Sequence, residues 1–240
     1  MTHTGLLEVV SRARSLGFTG PGEPRDHIEH ALRFVELAQR VLPPPPTFPA
    51  LPVLPAPLDG GPAPHFPMGD VVGGSDGVLH HPFRGVDLGS GGGVPGLVLA
   101  VALPWVHWLL VDSMQRRTTI LDEAVVRLGL EDRVTVWCGR AEELGHAAEA
   151  RYSADLVVAR SFGPPAVTAE CAAPLLRMGG HLMVSEPPES SGTRWPPVEL
   201  EELGLEPVGV DLGVMVMVKV AETPDQYPRR VGIPAKRPLF

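Results

Sequence analysis

Between residues 86 and 96 the chain reads Val86-Asp87-Leu88-Gly89-Ser90-Gly91-Gly92-Gly93-Val94-Pro95-Gly96, an apolar run that meets an acid and then opens into glycines. Glycine reaches backbone conformations that a Cβ forbids, so such a loop can turn tightly and let a ligand touch the main chain. The helical run that follows, Pro95 to Ala102, would set free N–H groups behind the loop. Two ligand classes use this arrangement. Read from Gly91, the glycines at 91, 93 and 96 spell G-x-G-x-x-G, a dinucleotide fingerprint. Read from Asp87, the spacing is D-x-G-x-G-x-G, and the acid becomes part of the motif. A second acid, Asp112, follows the apolar run Val106 to Val111, where either class would hold ribose hydroxyls. Other chemistries are poorly provided for. His80-His81 has no third ligand at a sensible spacing, so no metal site is expected. No Asp/His or Cys/His catalytic pairing stands out.

Elements must position that loop, and three zones supply them. Residues 1–42 form an N-terminal helical extension of two helices. The first carries Leu6, Leu7, Val9, Val10, Ala13 and Leu16 and stops at Gly17; the second sets Ile28, Ala31, Leu32, Val35, Ala38 and Leu42 on one face. Residues 43–85 hold eleven prolines between 43 and 67, then Gly73, Gly74 and Gly77. Proline fixes φ and removes a donor, so an insertion or linker outside the core is expected there. From residue 86 to 222 strands and helices alternate. Strands are expected at Gly85–Leu88, Val106–Val111, Val134–Cys138, Asp155–Ala159 and His181–Ser185, with late apolar runs at Glu206–Val210 and Val214–Val220. Helices fall between, including Met114–Leu128 capped by Gly129 and Ala166–Leu176 bent or ended by Pro174. The pattern is α/β: a mostly parallel sheet with helices on both faces. Residues 223–240 form a basic, proline-rich C-terminal tail.

The 240 residues suffice for one such domain with a sizeable core. A net charge of −8 argues against indiscriminate nucleic-acid binding, although residues 227–240 hold Arg229, Arg230, Lys236 and Arg237 with no acid. Two distant cysteines, Cys138 and Cys171, make no disulfide framework and read as reduced thiols. The N-terminus lacks a signal-peptide core, and the most apolar stretch, Leu97–Val111, is too short to span a bilayer and is broken by Pro104 and His107. The expected location is cytoplasmic, with no membrane partner and no DNA partner.

The D-x-G-x-G-x-G reading resembles the first motif of class I methyltransferases, in which the strand-end acid helps place the methionine part of S-adenosyl-L-methionine. More of the chain resembles one family. Asp87–Gly96, Leu110-Val111-Asp112-Ser113, Arg116-Arg117, Arg140-Ala141-Glu142, Ala159-Arg160-Ser161 and the ending Tyr227–Pro238 are together similar to the RsmG (GidB) family of 16S ribosomal RNA guanine-N7 methyltransferases. The resemblance implies a Rossmann-like class I fold, S-adenosyl-L-methionine as cofactor, and ribosomal RNA or the small ribosomal subunit as partner. It implies cofactor contacts at Gly89, Val94, Ala141, Glu142 and Arg160, joined by Asp87, Gly91 and Asp112 from the loop reading. No catalytic base is expected, because guanine N7 already bears an unprotonated lone pair. Catalysis would rest on proximity, and the target would be an exposed loop nucleotide. The chain departs from the family before the loop, where Ile28-Glu29-His30-Ala31-Leu32-Arg33 keeps only the histidine and puts Arg33 where an acid or amide would stand. A methyltransferase of the same descent with another substrate, a nicotinamide enzyme and a non-catalytic nucleotide-binding protein are the alternatives that the residues leave open. Limited proteolysis of the full chain should cut first between residues 43 and 85; fragments cut first within the alternating strands and helices would contradict the zoning.

Overall fold

The structure, a computed structural model, describes residues 3–42, 72–73, 79–80 and 82–240. Most of the proline-rich zone and the side chains of His80-His81 lie outside the described residues. Within that zone Val72–Gly73 pairs antiparallel with Leu79–His80.

One seven-stranded sheet organises the rest. Its strands are β1 (Phe83–Leu88), β2 (Val106–Asp112), β3 (Val134–Cys138), β4 (Ala154–Ala159), β5 (Leu176–Ser185), β6 (Leu205–Asp211) and β7 (Val214–Lys219). Their order across the sheet is β3-β2-β1-β4-β5-β7-β6; β7 runs antiparallel to both β5 and β6, and all other neighbours are parallel. Parallel strands covered on both faces read as continuous apolar runs, and all six residues of β4 are buried. The order reverses between β1 and β4, which opens a crevice at their carboxyl ends, the general ligand position in such sheets.

Helices cover both faces. On one side α1 (His3–Ser15), α2 (Pro24–Val41), α3 (Gly96–Ala102) and α4 (Gln115–Leu128) share a core with Trp108, Leu110, Leu156 and Val158. On the other, α5 (Ala141–Leu144), α6 (Pro165–Ala172) and α7 (Pro197–Glu202) pack on Val86, Leu109, Val111 and Val157. Alternate residues of each strand thus feed opposite cores. Gly129 ends α4 at φ +62, the left-handed cap expected of it.

Several boundaries differ from expectation. On α2, Leu32 is 43% exposed, while Phe34 and Leu37 are buried; the inward face follows His27, Ala31, Phe34, Val35 and Ala38. β1 begins at Phe83 rather than Gly85. β5 begins at Leu176, bulges through Gly179-Gly180, and resumes pairing at His181. The short α7 leaves no clear helical signal in the sequence, because it opens on the pair Pro196-Pro197 and holds only six residues.

The tail is strapped to the domain. A short helix α8 (Ile233–Lys236) ends it. Arg229 clamps Glu170, with Nε to Oε1 at 2.9 Å and Nη2 to Oε2 at 2.6 Å, and its own backbone N–H adds a bond at 2.8 Å. Arg151 donates to the carbonyls of Tyr227 and Thr223, and His146 Nε2 bonds to the Pro228 carbonyl. The Glu170 side chain is fully buried and Arg229 is its ion-pair partner, so deleting the guanidinium strands a buried charge. Arg229→Leu should lower folding stability by about 3 kcal/mol, read as a shift in the urea midpoint; an unshifted midpoint would show that the pair is not structural.

Candidate functional site

β1 ends on Asp87 and Leu88, and the chain turns through Gly89, Gly91 and Gly93 at φ +70, +53 and +85. L side chains disfavour that region, so the path requires glycine. Two carboxylates fasten the loop. Asp112 Oδ2 accepts the Gly91 N–H at 3.0 Å, and Asp87 Oδ2 accepts the Gly96 N–H at 3.0 Å. A Cβ on Gly96 would sit 2.4 Å from Asp87 Oδ2, which explains the glycine there. Ser90 ties the turn to β2 by accepting the Val111 N–H at 3.0 Å and sending its own N–H to the Val111 carbonyl at 2.9 Å. Burial pushes the Asp87 carboxyl up to about 7, against the opposing pull of the Gly96 N–H, Ser90 and Arg160. Its second oxygen, Oδ1, is buried without a partner.

The loop forms one wall of a cleft of about 790 Å³. The facing wall is the α1–α2 turn, Gly17 to Gly22, with Asp26, His27 and His30 of α2; Arg160 to Gly163 and Val184 to Pro187 complete it from the ends of β4 and β5. Arg160 Nη2 contacts His27 Nδ1 at 2.8 Å, and His27 Nε2 lies 3.1 Å from the Gly20 carbonyl. A guanidinium only donates, so Nδ1 is the acceptor and the proton sits on Nε2. Burial, then Arg160, lowers the His27 pKa. Burial and then Arg160 also hold His30 down to about 4. Both rings are therefore neutral at physiological pH. At the β4 end Ser161 adopts φ +56, and Phe162 packs over Gly89, where an added Cβ would lie 2.8 Å from its ring. Glu186, at the end of β5, accepts Trp195 Nε1 at 2.8 Å and pairs with Arg194 Nε at 3.5 Å.

The structure brings Gly89, Gly91, Val94 and Arg160 together on the cleft wall. Asp87 and Asp112 lie directly behind the loop, 0% and 3% exposed. Asp112 is satisfied locally by Gly91, the Met114 N–H at 2.9 Å and Arg117 at 3.4 Å. Ala141 and Glu142 do not line this cleft; they start α5, and Glu142 Oε1 accepts the Gly232 N–H of the tail at 2.9 Å. Arg117 joins the cleft with its guanidinium 6.0 Å from the Phe18 ring. Sequence reasoning missed His27, Asp26 and Phe162. The available signal was the spacing of Asp26, His27 and His30 just after a glycine-rich break, which sets an acid and two imidazoles on one helix start. Cys171 is buried, with its thiol pushed up by burial, so it offers no nucleophile. Among the described residues no helix is long and apolar enough to cross a membrane.

The family model described as rRNA small subunit methyltransferase G (GidB) matches residues 77–186. The ribosomal RNA small subunit methyltransferase G of Roseiflexus castenholzii is 40% identical over 172 residues, covering 66% of this chain and 72% of the relative. That of Deinococcus radiodurans is 37% identical over 175 residues, covering 68% and 69%. A solved protein of Corynebacterium glutamicum superposes with a TM-score of 0.53 at 15% identity over 93% of each chain, a likeness of fold.

The raised Asp87 carboxyl has a consequence for stability. Folding holds its proton up to about pH 7, whereas the unfolded chain releases it near pH 4. The folded state then binds more protons in that window, so this group's stabilisation is full below about pH 4 and is lost as pH rises toward 7. Asp87→Asn should flatten that part of the urea-midpoint profile of the ligand-free protein. A wild-type profile that rises through the window, with the variant showing the same rise, would show that Asp87 is ionised in the fold.

Proposed function

The chain belongs to the rRNA small subunit methyltransferase G (GidB) family, and from that premise we propose that it methylates N7 of a guanine in 16S ribosomal RNA, using S-adenosyl-L-methionine. It is a methyltransferase of the Rossmann-like class, with its N-terminal helices built into one face of the sheet. The observation that carries the cofactor reading is the glycine loop. Its left-handed glycines bare the backbone at the end of β1, and the buried Asp87 Oδ1 behind it lacks a partner. Such an oxygen suits the ammonium of a methionine group, and the bare backbone suits close approach of a nucleoside.

When bound, the cofactor supplies an electrophilic methyl on a sulfonium. The guanine N7 lone pair forms the new bond while the sulfur keeps the electrons of the old one, so no proton moves. No base is then required of the cleft, and the chain's contribution is to hold two ligands in line. In this reading Gly89, Gly91 and Val94 border the cofactor, Asp87 faces its methionine end, and Arg160 stands between cofactor and base. Ala141 and Glu142, which lie outside this cleft, would border the adenine where it extends beyond the cleft toward α5. The tail would meet phosphate with fewer charges than composition suggests. Arg229 is committed to Glu170, which leaves the exposed Arg230, Lys236 and Arg237, with Arg116 on α4.

Labelled cofactor incubated with small ribosomal subunits, with free 16S RNA and with protein alone tests the reading. Label should enter RNA and release as N7-methylguanine. Label in protein only, or in another base, would overturn it. Replacing Arg230, Lys236 and Arg237 together by Gln should keep S-adenosylhomocysteine affinity and lower the salt slope of RNA binding by up to about 0.9 for each phosphate no longer neutralised. An unchanged slope would return the tail to a purely structural role.

A further inference from the structure

Buried polar atoms without a partner are rare in folded proteins and each calls for an explanation. Among the described residues seven side-chain atoms are in this state, and four of them, on Thr19, His30, Arg117 and Arg194, belong to residues lining the cleft. A fifth, Asp87 Oδ1, lies behind the loop and is accounted for by the cofactor reading. Arg194 Nε faces Glu186 Oε1 at 3.5 Å; the other three, on Thr19, His30 and Arg117, point to a second ligand, and Thr19 and His30 stand on the N-terminal wall. That wall has a definite chemistry. Asp26 and His30 are four apart on α2 and so share a face. Asp26 spends Oδ2 on the Glu23 N–H at 3.0 Å, and the side chain is exposed at the cleft. Arg160 is held by His27 one helical turn from His30, with donors left over. Phe162 sets a half-buried aromatic ring between the glycine loop and this wall.

We propose that this wall seats an unstacked guanine, with Phe162 against its ring, Arg160 donating to O6, and Asp26 and His30 accepting from N1–H and the 2-amino group. The inference rests on the methyltransferase reading and names the residues that would choose the base. On guanine, O6 lies beside N7 on one side and N1–H on the other. A donor at Arg160 and acceptors on the adjacent helix turn match that order, and N7 then faces the glycine loop. Adenine presents the opposite pattern, an amino group at position 6 and a lone pair at N1, so it would meet a donor at Arg160 and an acceptor at Asp26. In the tautomer that carries its proton on Nε2, the neutral His30 ring presents Nδ1 as an acceptor. The unpartnered Nε of Arg117 remains for a flanking phosphate, which suits a base turned out of its stack into a polar slot.

Saturation-transfer NMR with GMP, IMP and AMP, each added to protein holding S-adenosylhomocysteine, tests the slot. The wild type should prefer GMP, then IMP, which lacks the 2-amino group, then AMP. Asp26→Asn keeps the oxygen that caps Glu23 and should lower GMP affinity on the order of tenfold while moving AMP little. Phe162→Leu should weaken all three nucleotides alike, and Phe162→Trp should restore them. Calorimetry should show S-adenosylhomocysteine binding unchanged by Asp26→Asn. Equal binding of GMP and AMP by the wild type, or an undiminished preference for GMP in Asp26→Asn, would overturn the proposal. If the preference holds while small-subunit RNA is not methylated, the slot stands and the ribosomal target falls. If RNA is methylated with no such preference, the slot falls and the methyltransferase reading stands.

Discussion

Two carboxylates at neighbouring strand ends, Asp87 and Asp112, hold the loop on which the cleft is built. Each accepts an N–H from one end of the turn, Gly96 and Gly91, at 3.0 Å. The turn itself takes a left-handed route through Gly89, Gly91 and Gly93. The anchoring also sets the helix behind the loop, because α3 begins at the glycine that Asp87 holds. The arrangement is strained electrostatically: burial raises the Asp87 carboxyl to about 7, and one of its oxygens is unpaired. A group kept in that state lowers stability, and it is placed where a cationic ligand end would relieve it.

The N-terminal helices close the site as part of the domain. Leu6, Val9 and Val10 of α1 and Ala31, Phe34 and Leu37 of α2 share a core with α3 and β2. Their apolar underside fixes where the polar ends fall. His27, 7% exposed, meets Arg160 across the cleft and the Gly20 carbonyl beneath it. One imidazole therefore ties the α1–α2 turn to the end of β4. Arg160 in turn lies close enough to Asp87 to lower its pKa, so the N-terminal wall and the glycine loop act on a common guanidinium.

The alternation of strands and helices was readable because apolar runs and glycine stops are local signals. β3 and the end of α4 fall where the pattern put them, at Val134–Cys138 and Gly129. The loop was readable for the same reason, since Asp87 and its glycines are contiguous. What could not be read depends on distant partners. Arg229 and Glu170 are 59 positions apart, so a count of tail charges could not tell a structural guanidinium from three exposed cations. Glu142 stands at an expected position, yet the Gly232 N–H that occupies one of its oxygens comes from 90 positions away. Ser161 at φ +56 leaves no mark in the sequence, although it sets Phe162 against Gly89. Leu32 falls on the wrong side of α2 in the sequence pattern because several registers of a 3.6 period fit a helix with many apolar residues.

Methyl transfer from a sulfonium to N7 moves a positive charge from one ligand to the other without removing it. The groups around the cleft fit that requirement better than they fit acid–base chemistry. His27 and His30 are neutral, with burial and Arg160 both opposing protonation, so neither adds a cation beside the purine as its ring becomes charged. Arg160 is itself desolvated and bound to His27, with Asp87 as its nearby opposite charge. In the proposed arrangement Asp87 would lie on the side where the charge begins, and Asp26 on the side where the purine would receive it. A carboxylate in each place would favour a cation at either end of the reaction and would leave the transition state, with charge spread between them, in a field that changes little. The barrier then depends mainly on how rigidly the two ligands are aligned. That places the selective demand on the fastenings of the walls, the Gly91 and Gly96 anchors and the His27–Arg160 tie, rather than on any single reactive side chain.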